Sequence, residues 1–201
     1  MNKTKPRVHG GRFVHRCFSK KNNSAIVVES YLEKTFVHLF SCNPNVKSFG
    51  SQTESMHCDY DGKRCRYTPD FLVNYIDGSS AFIEVHPKVF VNDEYKRRIA
   101  HFNAYSLAES GIPILIMTDE NLGRMVRVNY ELIALQTLAS LSVDIPTQEL
   151  PAQLTFGELI TLVSHYAVDG IAQAYTLLAN RLYEFDMNKL LTASTEVTKA
   201  S

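Results

Sequence analysis

Asp70 and Glu84 are the residues of this chain best placed to do chemistry together. Asp70 opens the apolar run Phe71-Leu72-Val73-Asn74-Tyr75-Ile76, and Glu84 lies inside the next one, Ala81-Phe82-Ile83-Glu84-Val85. Between them stands Asp77-Gly78-Ser79-Ser80, and Asp-Gly between apolar segments signals a hairpin because both residues tolerate positive φ. Folded so, the two carboxylates converge at one end of paired strands, a plausible site for a divalent metal. A solvated hairpin whose acids only keep it soluble fits the same pattern. Strand alternation sets Phe82, Glu84 and His86 on one face, with Ile83 and Val85 on the other. A metal held there would polarise a phosphodiester and acidify an attacking water. His86 and Lys88 are the local cations that would hold that water or stabilise developing charge. His86 is also open to reading as a metal ligand, as a general base, or as a sheet residue bonded to a neighbour.

The elements around this hairpin follow from periodicity. Ile26, Val27, Tyr31, Leu32, Phe36, Leu39 and Phe40 recur at three- and four-residue intervals, which predicts an amphipathic helix over 25–41. That places Glu29 and Glu33 one turn apart on a face that is solvated unless a cation binds there. Asn92-Asp93-Glu94 caps a second helix running to Ser110, closed by Gly111. The run Ile112–Met117 reads as a strand buried on both faces. Helix, strands, helix, strand describe an α/β unit with a mixed central sheet. Residues 118–128 form a polar connection, 129–141 another helix, and Pro146 and Pro151 bracket a linker. Beyond it, Thr155 and Asp169 each cap a helix, 186–191 is a short third segment, and 194–197 a small strand. These suit a winged-helix module or a plain helical packing domain.

Bulk composition narrows the classes. The chain has 201 residues, 45% hydrophobic and 21% charged, with a net charge of zero. That is an ordinary folded protein with room for one domain and a small second one. The first 21 residues are different: Lys3, Lys5, Arg7, Arg12, Arg16, Lys20 and Lys21 stand there without one acid. Such an arm suits a phosphate backbone or a solvated tail. Lys96-Arg97-Arg98 adds a basic cluster, facing DNA phosphates or solvent. Cys17, Cys42, Cys58 and Cys65 lack CxxC spacing and read as thiols of a reducing compartment. No long apolar run predicts a membrane span or a signal peptide, and a cytoplasmic protein is expected.

Taken in order, these residues resemble a known family. Glu33 within Glu29-Ser30-Tyr31-Leu32-Glu33-Lys34-Thr35-Phe36, then Gln52, then Tyr67-Thr68-Pro69-Asp70-Phe71, then Ile83-Glu84-Val85-His86-Pro87-Lys88, is similar to the TnsA endonuclease subunit of heteromeric transposases. That family belongs to the PD-(D/E)xK superfamily. The resemblance extends through Thr118-Asp119-Glu120-Asn121-Leu122 to the C-terminal part, and covers most of residues 25–197. It implies a basic arm (1–24), a restriction-endonuclease-like catalytic domain (25–146) and a winged-helix-like domain (147–201).

The implied reaction is cleavage of the non-transferred strand at the transposon 5′ ends, in double-stranded DNA. A DDE-type transposase subunit cuts and joins the 3′ ends, and an AAA+ transposition regulator meets the C-terminal region. Glu33, Asp70 and Glu84 are the implied metal ligands, with Mg2+ as cofactor and Mn2+ able to substitute. DNA contacts are expected from Lys3, Lys5, Arg7, Arg12, Arg16, Gln52, Lys96 and Arg97, and a bacterial, nucleoid-associated location when bound to DNA. One departure stands out. The family lysine comes two residues after the Glu84 position, where this chain has His86. Either His86 replaces it, or Lys88 reaches back, or the subunit is a catalytically impaired scaffold that binds DNA and the regulator. A stand-alone restriction or repair nuclease is a further alternative.

Overall fold

The computed structural model describes residues 8–9, 12–51, 53–137 and 140–200, with the side chains of all but residues 8, 9, 12 and 13. The chain divides into two units: Met1–Val37 with Asn45–Asn121, and His38–Pro44 with Leu122–Ser201.

In the first unit, β1 (Val8–His9) pairs with β2 (Arg12–Phe13), and β3 (His15–Ser19) with β4 (Ser24–Val28), both antiparallel. The helix expected from residue 25 therefore begins later, as α1 (Tyr31–Ser41). The run Ile26-Val27-Val28 is β-branched and packs better on a pleated surface than in a helix. Ile26 and Val28 are both buried, a spacing of two. Ser30 starts the helix, its Oγ accepting the N–H of Glu33 at 3.1 Å. Glu29 thus precedes the helix instead of sharing a face with Glu33, and its N–H donates to Glu33 Oε2 at 3.0 Å.

Next come β5 (Val46–Ser51) and the hairpin of β6 (Met56–Tyr60) and β7 (Lys63–Tyr67). Its two-residue loop has Asp61 at φ 51° and Gly62 at φ 70°, as Asp-Gly predicts for a tight turn. Then follow β8 (Phe71–Tyr75), β9 (Ser80–Val85), α2 (Asp93–Ser110) and β10 (Ile114–Met117). The central sheet runs β10-β9-β8-β5, with β10 parallel to β9 and the other pairs antiparallel. It is the mixed sheet with flanking helices that the pattern predicts. On one face Phe71, Val73, Ala81 and Ile83 are buried. On the other, Ile99 and Phe102 of α2 cluster with Tyr67 and Ile114. The expectation of a strand buried on both faces fails for β10. It ends the sheet among the described residues, and Leu115 is 44% exposed. Apolar content alone does not tell a central strand from an edge one. Asn92 caps α2 by accepting Tyr95 N–H at 2.8 Å, and Gly111 closes it at φ 72°, where only glycine is unstrained.

The second unit contains α3 (Arg124–Gln136), β11 (Gln153–Thr155), α4 (Phe156–Val163), α5 (Gly170–Ala179), β12 (Tyr183–Glu184) and β13 (Glu196–Lys199). Its sheet is antiparallel in the order β11-β13-β12. Leu159, Val163, Leu177 and Val197 are fully buried in one cluster with Ile133 and Phe156. Ile133 belongs to this core, within the Leu122–Ser201 segment of the unit. α3 begins five residues before the expected 129, since Val126, Asn129 and Ile133 form its buried stripe beneath the polar Arg124 and Arg127. Residues 186–191 are a loop and not a third short helix. Buried Asn129 takes its backbone groups, donating to Met187 O at 3.0 Å and Lys189 O at 2.7 Å and accepting Leu191 N–H at 3.1 Å. Thr155 and Glu158 make a reciprocal capping box on α4. Asp169 caps α5 as its sequence predicts. Among the described residues no helix is long and apolar enough to cross a membrane.

Candidate functional site

The hairpin of β8 and β9 positions the site. Phe71 pairs with Ile83 and Leu72 with Phe82, so one further step of the register sets Asp70 opposite Glu84. The connection is longer than two residues, with Gly78 alone left-handed at φ 88°. Asp77 Oδ1 pins it by accepting the N–H and Oγ–H of Ser79 at 2.9 and 2.7 Å.

Asp70 Oδ2 accepts the N–H of Val85 at 2.7 Å. Burial, then the negative charge of Glu84, push its carboxyl up to about 7, with Glu33 and Glu29 adding to the rise and the Val85 bond opposing it. Three acidic side chains therefore act on Asp70 here, and α1 brings Glu33 into the group. Glu29, Glu33 and Asp70 line a cleft of about 590 Å³, together with Ser51, Thr53 and Thr68.

Glu84 is gripped at both ends. Its Oε2 accepts the hydroxyl of Tyr67 and its Oε1 that of Tyr95, each at 2.7 Å. Burial, followed for Tyr67 by the charge of Glu84 and for Tyr95 by the hydrogen bond to Glu84, pushes both phenols above their ordinary range, so both stay neutral donors. Tyr67 stacks on Phe102 at 4.6 Å between ring centroids, and Tyr95 on His86 at 4.2 Å. Neither tyrosine stood out as functional in the sequence. The available signal was weak: a tyrosine at a core position needs a partner for its hydroxyl, but sequence does not say which.

His86 follows β9, with its N–H on Met117 O at 3.0 Å and its ring on Tyr95. Lys88 goes elsewhere. The strand ends at Val85, and Lys88–Phe90 form a 3-10 turn. The Lys88 Nζ pairs with Glu120 Oε2 at 2.7 Å, and its N–H donates to Asp119 Oδ1 at 2.8 Å. No ion pair joins it to Asp70 or Glu84, so the geometry of a continuing extended strand does not apply.

The expected DNA contacts are scattered. Arg16 is exposed on β3, and Lys96 and Arg97 are exposed on α2, where Lys96 lies 3.5 Å from Asp93. Lys3, Lys5, Arg7 and Gln52 lie outside the described residues, as does the side chain of Arg12. Among the described residues no group of three His, Cys, Asp or Glu side chains is arranged to hold a metal ion. The donor set nevertheless suits a hard dication: it is all oxygen, and Asp70 carries an electrostatic burden that such an ion relieves.

A mixed sheet that presents opposed carboxylates beside a cleft defines an α/β domain with an acidic site. Residues 43–119 match the family model described as TnsA-like endonuclease N terminal. The match covers part of the chain and is consistent with a subunit of a TnsA-like heteromeric transposase. No curated protein matches the chain.

Proposed function

We propose that this chain is the metal-dependent DNA endonuclease subunit of a heteromeric transposase, cutting the non-transferred strand at the transposon 5′ ends. The observation that carries this reading is Asp70, a half-buried carboxyl set opposite Glu84 within the matched residues 43–119 and pushed up to about 7 by burial, Glu84 and, from α1, Glu33. The mixed sheet is then the core of a restriction-endonuclease-like fold. The order α3, β11, α4, α5, β12, β13 is then a winged-helix-like domain.

Asp70, Glu84 and Glu33 would hold Mg2+, or Mn2+ in its place. When bound, such an ion stabilises charge on the phosphate and acidifies a coordinated water. The chain's own residues do the rest. The Val85 N–H and the two tyrosine hydroxyls orient the carboxylates, and the Glu29 N–H and Ser30 cap fix Glu33. His86, flat against Tyr95, takes the place of the family lysine, because Lys88 is committed to Glu120. Double-stranded transposon ends, a DDE-type transposase subunit and an AAA+ regulator are the partners this reading carries, the last through the second unit.

The test is strand cleavage in a reconstituted excision reaction. Asp70→Ala is expected to lower 5′-end cutting by about a thousandfold while the circular dichroism spectrum stays that of the parent. Undiminished cutting sinks the assignment. A scaffold without catalysis is favoured by one observation, the lack of a preformed three-ligand group among the described residues. Calorimetric titration with Mn2+ separates the two, since a scaffold gives no heat that Asp70→Ala removes.

A further inference from the structure

The rim of the cleft carries a second kind of chemistry. Arg66 is exposed on β7, opposite His57, and lines the same cleft as Glu29, Glu33 and Asp70. Its Nε donates to Ser55 Oγ at 2.9 Å, and Ser55 Oγ lies 2.7 Å from Thr68 Oγ1. Thr53 Oγ1 donates to Pro69 O at 2.9 Å, tying the segment that bears Ser55 to the approach of Asp70. An arginine beside three carboxylates would ordinarily pair with one. Among the described residues Arg66 makes no ion pair, and its guanidinium is steadied by a neutral hydroxyl instead.

Two consequences follow for the donors on this rim. The Nη groups of Arg66 remain uncommitted, and they form the planar fork that matches a phosphate. Between Ser55 and Thr68 one hydroxyl proton is spent on their mutual bond, and the other is left to donate outward. Carboxylates deeper in the cleft repel a polyanion, so a strand laid across them needs fixed positive charge beside them.

We propose that Arg66, with the Ser55–Thr68 hydroxyl pair, is a seat for a DNA backbone phosphate flanking the phosphodiester at Asp70. This rests on the nuclease reading of the cleft and adds to it the residue that sets the register of the strand. Arg66 positions substrate by contact with it and takes no part in ligating metal.

The experiment is fluorescence anisotropy of a short labelled DNA duplex against the full chain in EDTA, over a salt series. Arg66→Ala, Arg66→Lys and Ser55→Ala are each compared with the parent, and Mn2+ titration calorimetry is run on the same preparations. Arg66→Ala is expected to weaken binding about three- to tenfold and to flatten the slope of log K against log salt by about one. Arg66→Lys keeps the slope and loses part of the affinity, because a point charge replaces the fork. Ser55→Ala also keeps the slope while weakening binding. Mn2+ binding is unchanged in all three. An unchanged affinity and slope for Arg66→Ala overturns the proposal, and so does loss of Mn2+ binding, which would make Arg66 a support of the carboxylates. Failure of the nuclease reading appears separately, as absent Mn2+ binding in the parent.

Discussion

The two units of this chain handle buried polarity in opposite ways. In the second, Asn129, Gln173 and Thr176 are buried polar side chains that meet neutral partners. Asn129 makes three hydrogen bonds to the 187–191 loop. Gln173 Oε1 accepts Ser142 N–H at 3.0 Å, and Thr176 Oγ1 donates to Ala172 O at 2.7 Å. The remainder of that core is apolar and tightly fitted. In the first unit, carboxylates are placed near one another, and the charge on Asp70 is opposed by Glu84, Glu33 and Glu29. An arrangement that works against folding in a metal-free chain marks a site kept for something other than stability. The second unit pairs these polar groups with neutral partners, and the first sets acids against one another around Asp70.

Breaking the electrostatic half of this contrast should give the largest effect. The folded carboxyl of Asp70 lies at about 7, above its ordinary value of 3.8. Its protonated form therefore favours folding, fully below pH 3.8, and that contribution is lost as pH rises to about 7. Asp70→Asn, permanently neutral, should stabilise the metal-free protein by an amount that grows between these limits and levels off above them. At its plateau the gain is up to about 4 kcal/mol. Thermal melts at pH 5 and pH 8 check this, and equal gains at both would refute it.

Gly170→Ala tests the packed half. A Cβ there would lie 1.9 Å from Ser164 Oγ and 2.8 Å from Ser164 Cα, so the first turn of α5 must shift. Although alanine is the better helix former, we expect a loss of about 3 kcal/mol in urea unfolding. A neutral or stabilising result would mean that the second unit is looser than its core suggests.

Tyr95→Phe sharpens the comparison at the junction of packing and charge. It removes the hydrogen bond to Glu84 Oε1 while keeping a ring against His86. The metal-free protein should lose about 1–2 kcal/mol. Saturating Mn2+ should recover most of that loss by taking up the released carboxylate oxygen, as read by differential scanning fluorimetry. A loss of the same size with and without the ion would count against Glu84 as a ligand. The smallest effect is expected from Lys88→Ala. Its pair with Glu120 is half exposed on both sides, and removing it should cost less than about 1 kcal/mol. Excision by this variant should match the parent, whereas His86→Ala should be slowed. The reverse ranking would return the lysine role to Lys88.

The features legible in the sequence were those decided within a few residues. Asp61-Gly62 makes its two-residue turn, Asn92 and Gly111 bound α2, and Thr155 and Asp169 cap α4 and α5, because turns and caps are local bonds. The alternation of β9 placed Glu84 on a face opposite Ile83, and the order of the two strands brought Asp70 to it. Sequence misjudged Ser24–Val28, where a β-branched run also matched a helical period and pairing with β3 settled the choice. The remainder required tertiary structure. That both oxygens of Glu84 meet tyrosines from β7 and α2 depends on how the helix packs on the sheet. That Lys88 turns to Glu120 depends on where β9 stops. That Asp70 feels Glu33 depends on a fold that closes over 37 residues of chain. Each is a contact between residues far apart in sequence, whose free energy no local pattern records.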